Sequence, residues 1–253
     1  MKIKNDTQLA SLREGGKRLA AVLLAVRDKV APGVTTIELD RLAEDLIRKS
    51  DGAPSFKNYQ TEGTKMAYPA TLCVSVNDEV VHGIPGARVL AEGDIVGLDI
   101  GMQYEGIFTD TAITVPVGNI SDEKKKLLEV TRRALEVGIA TVRDGAHIGD
   151  IGAAIQEYVE SEGFGVVREL VGHGVGDRVH EDPEIPNWGE RGTREVLREG
   201  MVIALEPMVT LGSPKVKVSQ DGWVWMTRDK KPAAHFEHTV LVTKNGAEII
   251  TKT

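Results

Sequence analysis

The hydrophobic positions of the first thirty residues recur with the period of a helix. They lie at spacings of three, four and seven, at Leu9, Leu12, Leu19, Leu23, Val26 and Val30. This spacing predicts a helix from Thr7 to Val30, which Ala31-Pro32-Gly33 ends. A second helix is predicted to begin at Thr35 or Thr36, since either can cap it, and to run to about Ser50.

The next hydrophobic segments are shorter and typical of strands. Residues 51–69 are rich in Gly, Pro, Ser and Asn, which predicts a long loop. Leu72–Val76 is predicted to be a short strand. The segments Ile95–Met102 and Ile107–Val117 predict a hairpin, with Gly106 beside the bend.

The second half repeats this order of helices and then strands. Two helices are predicted, at Ser121–Val142 and Ile148–Glu162. The segments that follow predict strands, with a turn at Asp221-Gly222: Met201–Val209, Val216–Ser219, Trp223–Thr227 and Phe236–Val242.

The two halves also share short sequence patterns. E-G-D-I-V-G-L-D at 92–99 and F-T-D-T at 108–111 correspond to E-G-M-V-I-A-L-E at 199–206 and F-E-H-T at 236–239. We interpret this as an internal duplication that folds as one pseudo-symmetric α/β (α+β) unit. The alternative is a chance match, since helices followed by strands are common. We expect residues 1–253 to form a single catalytic domain.

Length, net charge and cysteine content limit the classes of function that the chain can have. The length of 253 residues fits one large domain or two small ones, and a net charge of −7 argues against nucleic acid as the main ligand. The single cysteine, Cys73, excludes an internal disulfide and favours the cytoplasm. The longest aliphatic run, Leu19–Val26, is too short for a membrane span.

Two aspartates lie within the apolar hairpin segments. A bend centred between Tyr104 and Glu105 would set Asp99 and Asp110 directly opposite each other, with Cβ atoms about 5 Å apart. Two carboxylates that close repel each other unless a cation lies between them. The pair therefore predicts a metal site, and two metal ions would satisfy it better than one.

The alternative for these aspartates is that each caps a turn or pairs with a buried base. The nearest bases, Arg88 and Lys124–Lys126, lie outside the two strands. Glu206 and Glu237 stand at the corresponding ends of apolar segments in the second half. Either glutamate alone could be an edge residue that faces solvent, but four carboxylates in two matching pairs favour a metal centre.

The glycine-rich segment 172–176 places His173 on a flexible backbone that can approach other groups closely. One imidazole among carboxylates suits Mn, Fe, Co or Zn. A phosphate-binding loop is disfavoured, because this segment does not join an apolar strand directly to a helix and lacks the usual lysine.

The roles of the other histidines stay open at this point. His180 could be a metal ligand, a hydrogen-bond donor to substrate or a loop residue, and His82, taken alone, is more often structural. His235 and His238 flank Glu237, and in a strand their side chains would point away from it. We therefore do not place these two at the metal site.

Seven segments, taken together and in order, closely resemble the methionine aminopeptidases of the short bacterial type. They are N-D-E-V-V-H-G-I-P at 77–85, D-I-V-G-L-D at 94–99, F-T-D-T at 108–111, G-H-G-V-G at 172–176, E-P-M at 206–208, D-G-W at 221–223 and F-E-H-T at 236–239. The resemblance covers nearly the whole chain from about residue 7. It implies the pita-bread fold, in which two pseudo-symmetric halves carry central antiparallel sheets covered by helices.

The resemblance also implies a function. Such an enzyme is a hydrolase that removes the initiator methionine from nascent proteins when the second residue is small. Two divalent metal ions (Co, Mn, Fe or Zn) activate a water molecule that attacks the first peptide bond. The implied metal ligands are Asp99, Asp110, His173, Glu206 and Glu237, with Asp110 and Glu237 shared by both ions.

The remaining site residues are implied in the same way. The catalytic set would be His82, His180 and Glu206, and the substrate-binding set would be Tyr68, Cys73, His82, His180 and Trp223. The chain departs from the family at Val179, where an aromatic residue is frequent, and in the loop 56–67, which is longer than usual. Both departures affect the methionine pocket rather than the chemistry.

Two rival interpretations share the expected fold. A prolidase or aminopeptidase P relative usually carries a large N-terminal domain, whereas this catalytic pattern begins almost at once. A non-enzymatic binding protein tends to lose metal ligands, and all five are present here. We expect a cytoplasmic monomer that acts on nascent chains, with ribosome association as a hypothesis and with no membrane or direct nucleic-acid role.

Overall fold

The computed structural model describes residues 1–61, 64 and 66–252. In chain order the elements are α1 Asp6–Arg27, α2 Thr36–Lys49, β1 Ala53–Pro54, β2 Leu72–Val76, β3 Glu79–Val81, β4 Ile95–Tyr104, β5 Ile107–Pro116, α3 Asp122–Thr141, α4 Ile148–Ser161, β6 Gly165–Val166, β7 Gly172–Gly174, β8 Glu181–Ile185, β9 Val202–Leu205, β10 Met208–Thr210, β11 Val216–Val218, β12 Trp225–Thr227, β13 Ala233–His235, β14 Glu237–Thr243 and β15 Gly246–Ile249.

The helices lie close to their predicted positions because local signals define their ends. The side chain of Asn5 accepts a hydrogen bond from the backbone of Gln8 and caps α1. Thr35, rather than Thr36, caps α2, and Glu38 completes a capping box by accepting from the backbone of Thr35 at 2.7 Å. None of the helices within the described residues is long and apolar enough to cross a membrane.

An antiparallel sheet, whose strands differ in length, forms the centre of the molecule. Its strands follow the order β1-β4-β5-β14-β9-β7-β8, with β2 also on β4 and β15 on β14. One face of β4 and β2 packs against α1 and α2 through a cluster that includes Leu19, Leu39 and Leu98. The same face of β9 and β14 packs against α3 and α4 through a second cluster, which includes Leu127 and Ile203.

This arrangement agrees with the predicted duplication. Each half contributes a helix pair and central strands to one sheet, and each helix pair covers its own part of that sheet. The side chains that alternate with Leu98 and Ile203 along their strands therefore lie on the other face. The candidate site lies on that face.

Several short strands were not predicted, since they form by pairing with distant segments rather than by their own pattern. The glycine-rich segment at 172–174, expected to be flexible, is strand β7 between β8 and β9. The predicted strand Met201–Val209 is divided into β9 and β10. The division falls at Glu206-Pro207, where proline has no N–H to donate to a sheet.

Candidate metal centre and substrate cleft

The turn of the hairpin is centred one residue further along the chain than predicted. Tyr104 pairs with Ile107, so the turn is centred between Glu105 and Gly106 rather than between Tyr104 and Glu105. Both turn residues have positive φ, +48° and +81°, as a tight two-residue hairpin requires. The prediction that the two aspartates lie directly opposite was therefore wrong.

Asp99 pairs with Ala112, and Asp110 pairs with Gly101. The two aspartates are diagonal neighbours. Since they are offset by two positions in the register, their side chains still project from the same face.

The strand register aligns the candidate ligands in two adjacent rows across the sheet. In the first row Asp99 pairs with Ala112, which pairs with Glu237. The pairing of Leu205 with His238 leaves Glu206, the next residue after β9, beside Glu237. All three carboxylates of this row come from different strand segments but share one face.

The second row lies two residues further along each strand. Its members are Asp110 of β5, Thr239 of β14, Ala204 of β9 and His173 of β7. Thr239 joins the row to β5 because its hydroxyl donates to the carbonyl oxygen of Asp110 at 2.8 Å and accepts from its backbone N–H at 2.9 Å. Ala204 pairs with both Thr239 and His173.

Small side chains lie between candidate ligands in both rows. Ala112 lies between Asp99 and Glu237, and Thr239 and Ala204 lie between Asp110 and His173. These residues leave space above the sheet floor, which the longer ligand side chains share.

A cavity of about 540 Å³ opens above this floor. It is lined by every residue that the sequence assigned to the site, namely Tyr68, Cys73, His82, Asp99, Asp110, His173, His180, Glu206, Trp223 and Glu237. The sheet supplies the ligand side chains and Cys73, whereas connecting segments supply Tyr68, His82, His180 and Trp223.

Burial disfavours the charged form of all four carboxylates. Burial raises the pKa of Asp99 to about 7. Burial, followed by repulsion from Asp99 and Glu206, raises the pKa of Asp110 well above its usual value. Burial also raises the pKa of Glu206 and Glu237, with repulsion from their acidic neighbours adding to it.

The donor atoms fit divalent metal ions. Three buried carboxylate oxygens, Asp99 Oδ1, Asp110 Oδ1 and Glu237 Oε1, have no hydrogen-bond partner among the described residues. Ligand atoms within 4.8 Å of one another form three groups: Asp99–Asp110–Glu237, His173–Glu206–Glu237 and Asp110–His173–His180. Oxygen donors with one or two imidazoles suit Mn, Fe, Co or Zn. Asp110, His173 and Glu237 each belong to two of the three groups.

The backbone fixes the tautomer of His173. Its Nδ1 lies 2.9 Å from the carbonyl oxygen of Gly174, which can only accept, so Nδ1 carries the proton. Nε2 is then a lone-pair donor, and it lies 3.4 Å from Glu206 Oε1. The flanking glycines are needed because a Cβ on Gly172 would strike the carbonyl oxygen of Ala204, and one on Gly174 that of Asp182.

His180 and His82 stand around the cluster on connecting segments. The His180 ring lies 4.4 Å from that of His173 and 4.9 Å from that of Tyr59, centroid to centroid. Burial lowers the pKa of His180 to about 3 and that of His82 to about 4, so both rings are neutral at physiological pH. His82 has φ +59°, an uncommon conformation for a residue with a side chain.

An apolar cluster forms the wall beside the metal centre. Tyr68, Cys73, Val179 and Trp223 are buried in it. The rings of Tyr68 and Trp223 meet edge to face at 5.2 Å, and the Tyr68 hydroxyl donates to the carbonyl oxygen of Gly83 at 2.8 Å. The predicted Asp221-Gly222 turn is present and orients Trp223, whose backbone N–H donates to Asp221 Oδ1.

Further residues that sequence reasoning did not select also line the cavity. They include Phe56, Tyr59, Leu170, Met208 and Trp225. They lie on separate segments, and only their position in the fold brings them to one cleft. Phe56 and Tyr59 lie within the loop 56–67, and no residue pattern in that loop marks them as cavity residues.

The long loop 56–67 does border the cleft. Thr61 and Thr64 line it, and the Trp223 indole donates to the carbonyl oxygen of Met66 at 3.0 Å. Glu62, Gly63 and Lys65 lie outside the described residues.

The two histidines that flank Glu237 behave differently from each other. His238 points away from the ligands, and its Nδ1 lies 3.0 Å from Thr251 Oγ1. The expectation for His235 was wrong, because its Nε2 lies 3.6 Å from Glu206 Oε2. Residues 235 and 237 are two positions apart, and alternation along an extended segment places their side chains on the same face.

Comparison with known proteins connects this geometry to a family. The model of metallopeptidase family M24 matches residues 10–244. The chain belongs to this family. It is 47% identical over 249 residues to methionine aminopeptidase 1 of Bacillus subtilis, with 98% of each chain covered. Methionine aminopeptidase of Clostridium perfringens is 46% identical, again over 98% of each chain.

Solved structures within the family confirm the fold. The methionine aminopeptidase of Thermotoga maritima has a TM-score of 0.95 and 45% identity, and all of both chains is covered. The prolidase of Pyrococcus furiosus has a TM-score of 0.77 and 22% identity over 99% of this chain and 65% of that chain, a likeness of fold alone. The predicted pita-bread fold and the resemblance to bacterial methionine aminopeptidases are confirmed.

Proposed function

We propose that this chain removes the initiator methionine from new polypeptides whose second residue is small. The observation that carries the proposal is that five side chains able to bind metal ions lie on one sheet face, with an apolar pocket beside them. The M24 family and the methionine aminopeptidases at 46–47% identity support the same reaction. We further propose that residues 1–253 act as one catalytic domain.

Asp99, Asp110, His173, Glu206 and Glu237 would hold the two metal ions. When bound, two divalent ions would polarise the first peptide carbonyl and make a water molecule nucleophilic near neutral pH. They would also offset the burial and the mutual repulsion that raise the carboxylate pKa values.

The protein's own groups would then bind the substrate and move protons. The methionine side chain would enter the cluster formed by Tyr68, Cys73 and Trp223, which matches its apolar character. Neutral His180 has one N–H to donate to the scissile carbonyl oxygen, where negative charge develops in the transition state. Glu206 would take the proton of the attacking water and pass it to the leaving amine, and His82 would contact the substrate near that nitrogen.

Methionine release from a Met-Ala-Ser peptide tests the proposal. We expect no release in metal-free buffer, release after addition of Mn, Fe, Co or Zn, and little release when the second residue is bulky. Folded protein that releases no methionine with any of these metals contradicts the enzymatic function and favours a binding protein. Metal titration of the wild type and of Asp110→Asn then shows whether the ligand cluster binds ions at all.

The X-Pro peptidase interpretation rests on structural neighbours at 22% identity, which share the fold. Parallel assays with Met-Ala-Ser and with an Ala-Pro dipeptide separate the two reactions. Preferential cleavage of the Ala-Pro peptide contradicts the methionine assignment.

We also propose that the protein acts in the cytoplasm as a monomer and meets its substrates at the ribosome. The substrates emerge there, and a single buried cysteine is typical of a reducing compartment. Co-sedimentation with translating ribosomes, with bovine serum albumin as the control, tests the encounter. Recovery of no more protein than in the control contradicts it.

A further inference from the structure

His235 has a buried imidazole that the proposed reaction does not use. Its side chain is 3% exposed, and its Nε2 has no hydrogen-bond partner among the described residues. A buried polar group without a partner is costly, so one that is retained needs an explanation. Glu206 Oε2, which can accept a hydrogen bond, lies 3.6 Å from this nitrogen.

The backbone of His235 is fixed in place from β5. The hydroxyl of Thr114 donates to the carbonyl oxygen of His235 at 2.8 Å, and the backbone N–H of His235 donates to the same hydroxyl oxygen at 2.9 Å. Pairing with Met208 across β10 and β13 holds the other side. A ring anchored this way changes its distance to Glu206 only by small side-chain rotations.

Glu206 lies between two imidazoles. His173 Nε2 lies 3.4 Å from Oε1, and His235 Nε2 lies 3.6 Å from Oε2. The two histidines differ in which ring nitrogen carries the proton. His173 carries its proton on Nδ1, so its Nε2 offers a lone pair. Glu206 as a metal ligand would be ionised and could only accept, so the His235 tautomer with a proton on Nε2 is the one that can pair with it.

A neutral imidazole has a single N–H, so His235 can donate from one ring nitrogen only. Both distances to Glu206 exceed a normal hydrogen bond by a few tenths of an ångström. A small rotation of the glutamate would complete the contact with Oε2.

We propose that His235 is a positioning residue that donates from Nε2 to Glu206 Oε2 and so directs Oε1 toward the metal ions and the substrate. The proposal rests on the function proposed above for Glu206, as ligand and proton carrier. Partners behind a metal ligand typically change metal affinity or activity by about 10- to 100-fold when they are removed.

Two variants at this position separate hydrogen bonding from packing. His235→Gln keeps an N–H donor at a similar reach, and His235→Leu keeps apolar bulk but has no donor. We expect His235→Leu to lose about 10- to 100-fold in kcat with little change in KM, and to bind one of two titrated Mn ions more weakly by a similar factor. His235→Gln should stay within a few-fold of the wild type in both measurements.

His238 provides the matched control, because it lies on the same segment but contacts Thr251 rather than Glu206. His238→Leu and His238→Gln should leave Mn affinity unchanged. Calorimetric titration with Mn does not depend on turnover, so it tests the role of His235 even if the wild type proves inactive on methionyl peptides.

Three results would overturn the proposal. Equal effects of the Leu and Gln variants would mean that the donor does not matter. A change confined to KM would place His235 in contact with substrate instead. Complete loss of one Mn ion in both variants would make His235 a ligand rather than a residue that positions one.

Discussion

The two halves of the molecule each bring two carboxylates to the cleft floor, but they connect the strands that carry them differently. Asp99 and Asp110 lie on a single hairpin closed by the two-residue turn at Glu105-Gly106. Glu206 and Glu237 flank a connection of thirty residues, 207–236, that contains β10 to β13. Both solutions place their carboxylates on the same sheet face.

The two connections also differ in whether they carry further cavity residues. The tight hairpin fixes the spacing of the first pair through its register alone. The long connection of the second half reaches out from the sheet and returns, and it carries Trp223 and Met208 to the cavity wall. Pocket residues therefore come from both halves, with Tyr68 and Cys73 from the first and Trp223 and Met208 from the connection of the second.

The largest expected effect is that of Asp110→Asn, which removes a charge from the rigid hairpin. We expect activity to fall by at least about 10⁴-fold, beyond the loss from removing one proton-transfer group, since an amide cannot neutralise metal ions in the same place. Methionine release and Mn titration would measure it. Asp122→Asn is the control, because Asp122 is 96% exposed on α3. Retention of wild-type Mn affinity by Asp110→Asn would contradict the metal role of the hairpin.

Glu206→Gln tests a carboxylate from the second half of the molecule. We expect kcat to fall by about 10²- to 10⁴-fold, because the amide cannot carry a proton between water and the leaving amine. The Asp99–Asp110–Glu237 group remains intact, so at least one Mn ion should still bind. An activity within tenfold of the wild type, with metal bound, would exclude Glu206 as the proton carrier.

Trp223→Leu tests whether the connection 207–236 contributes to substrate selection. The variant loses the edge contact with Tyr68 and the hydrogen bond to Met66, both of which shape the pocket. We expect KM for Met-Ala-Ser to rise about tenfold, equivalent to about 1.4 kcal/mol, with a smaller change in kcat. Trp188→Leu removes a similar bond, from Trp188 to the carbonyl oxygen of Arg168, outside the cleft. If both variants alter KM equally, the pocket assignment is wrong.

The smallest expected effect concerns pH and the stability of the metal-free protein. Burial raises the pKa of Asp99 from 3.8 to about 7. A carboxyl group with a raised folded pKa stabilises the fold below its unfolded pKa, and this contribution is lost as pH rises through the folded pKa. Between about pH 4 and pH 7, the Tm of Asp99→Asn should therefore gain several degrees relative to the wild type.

The neutral buried histidines have the opposite dependence, but they are the same in both proteins and cancel in the difference. Thermal unfolding followed by circular dichroism in chelator-treated buffer gives that difference directly. A difference in Tm that stays constant over this pH range would show that Asp99 does not titrate in it.

Sequence reasoning succeeded where local signals define structure. Helical periodicity and caps such as Ser121 predicted the four helices to within a few residues, and apolar runs predicted the central strands. Strands of two or three residues, such as β7, have no pattern of their own and depend on partners distant in sequence. The hairpin register was missed by one turn residue because Glu105, a residue with a Cβ, adopts a positive φ.

The residues of the candidate site were likewise predictable only where the local sequence marks them. Carboxylates in apolar strands indicated a metal centre before any family resemblance was considered. Tyr59 and Leu170 were missed because nothing nearby in the sequence marks them as cavity residues. His235 was misplaced because it was treated like His238, although it lies two positions from Glu237 and an extended segment puts such residues on the same face.

The small residues between the ligands make the site vulnerable without any change to the ligands themselves. Ala112 lies between Asp99 and Glu237 in the first row and is 1% exposed. A valine there would extend methyl groups into the space above the sheet floor, where added volume is poorly tolerated. A related chain could thus lose its activity while keeping all five ligand residues. Surveys that recognise active homologues by those five positions alone would misclassify it, and they should also read the residues that separate them.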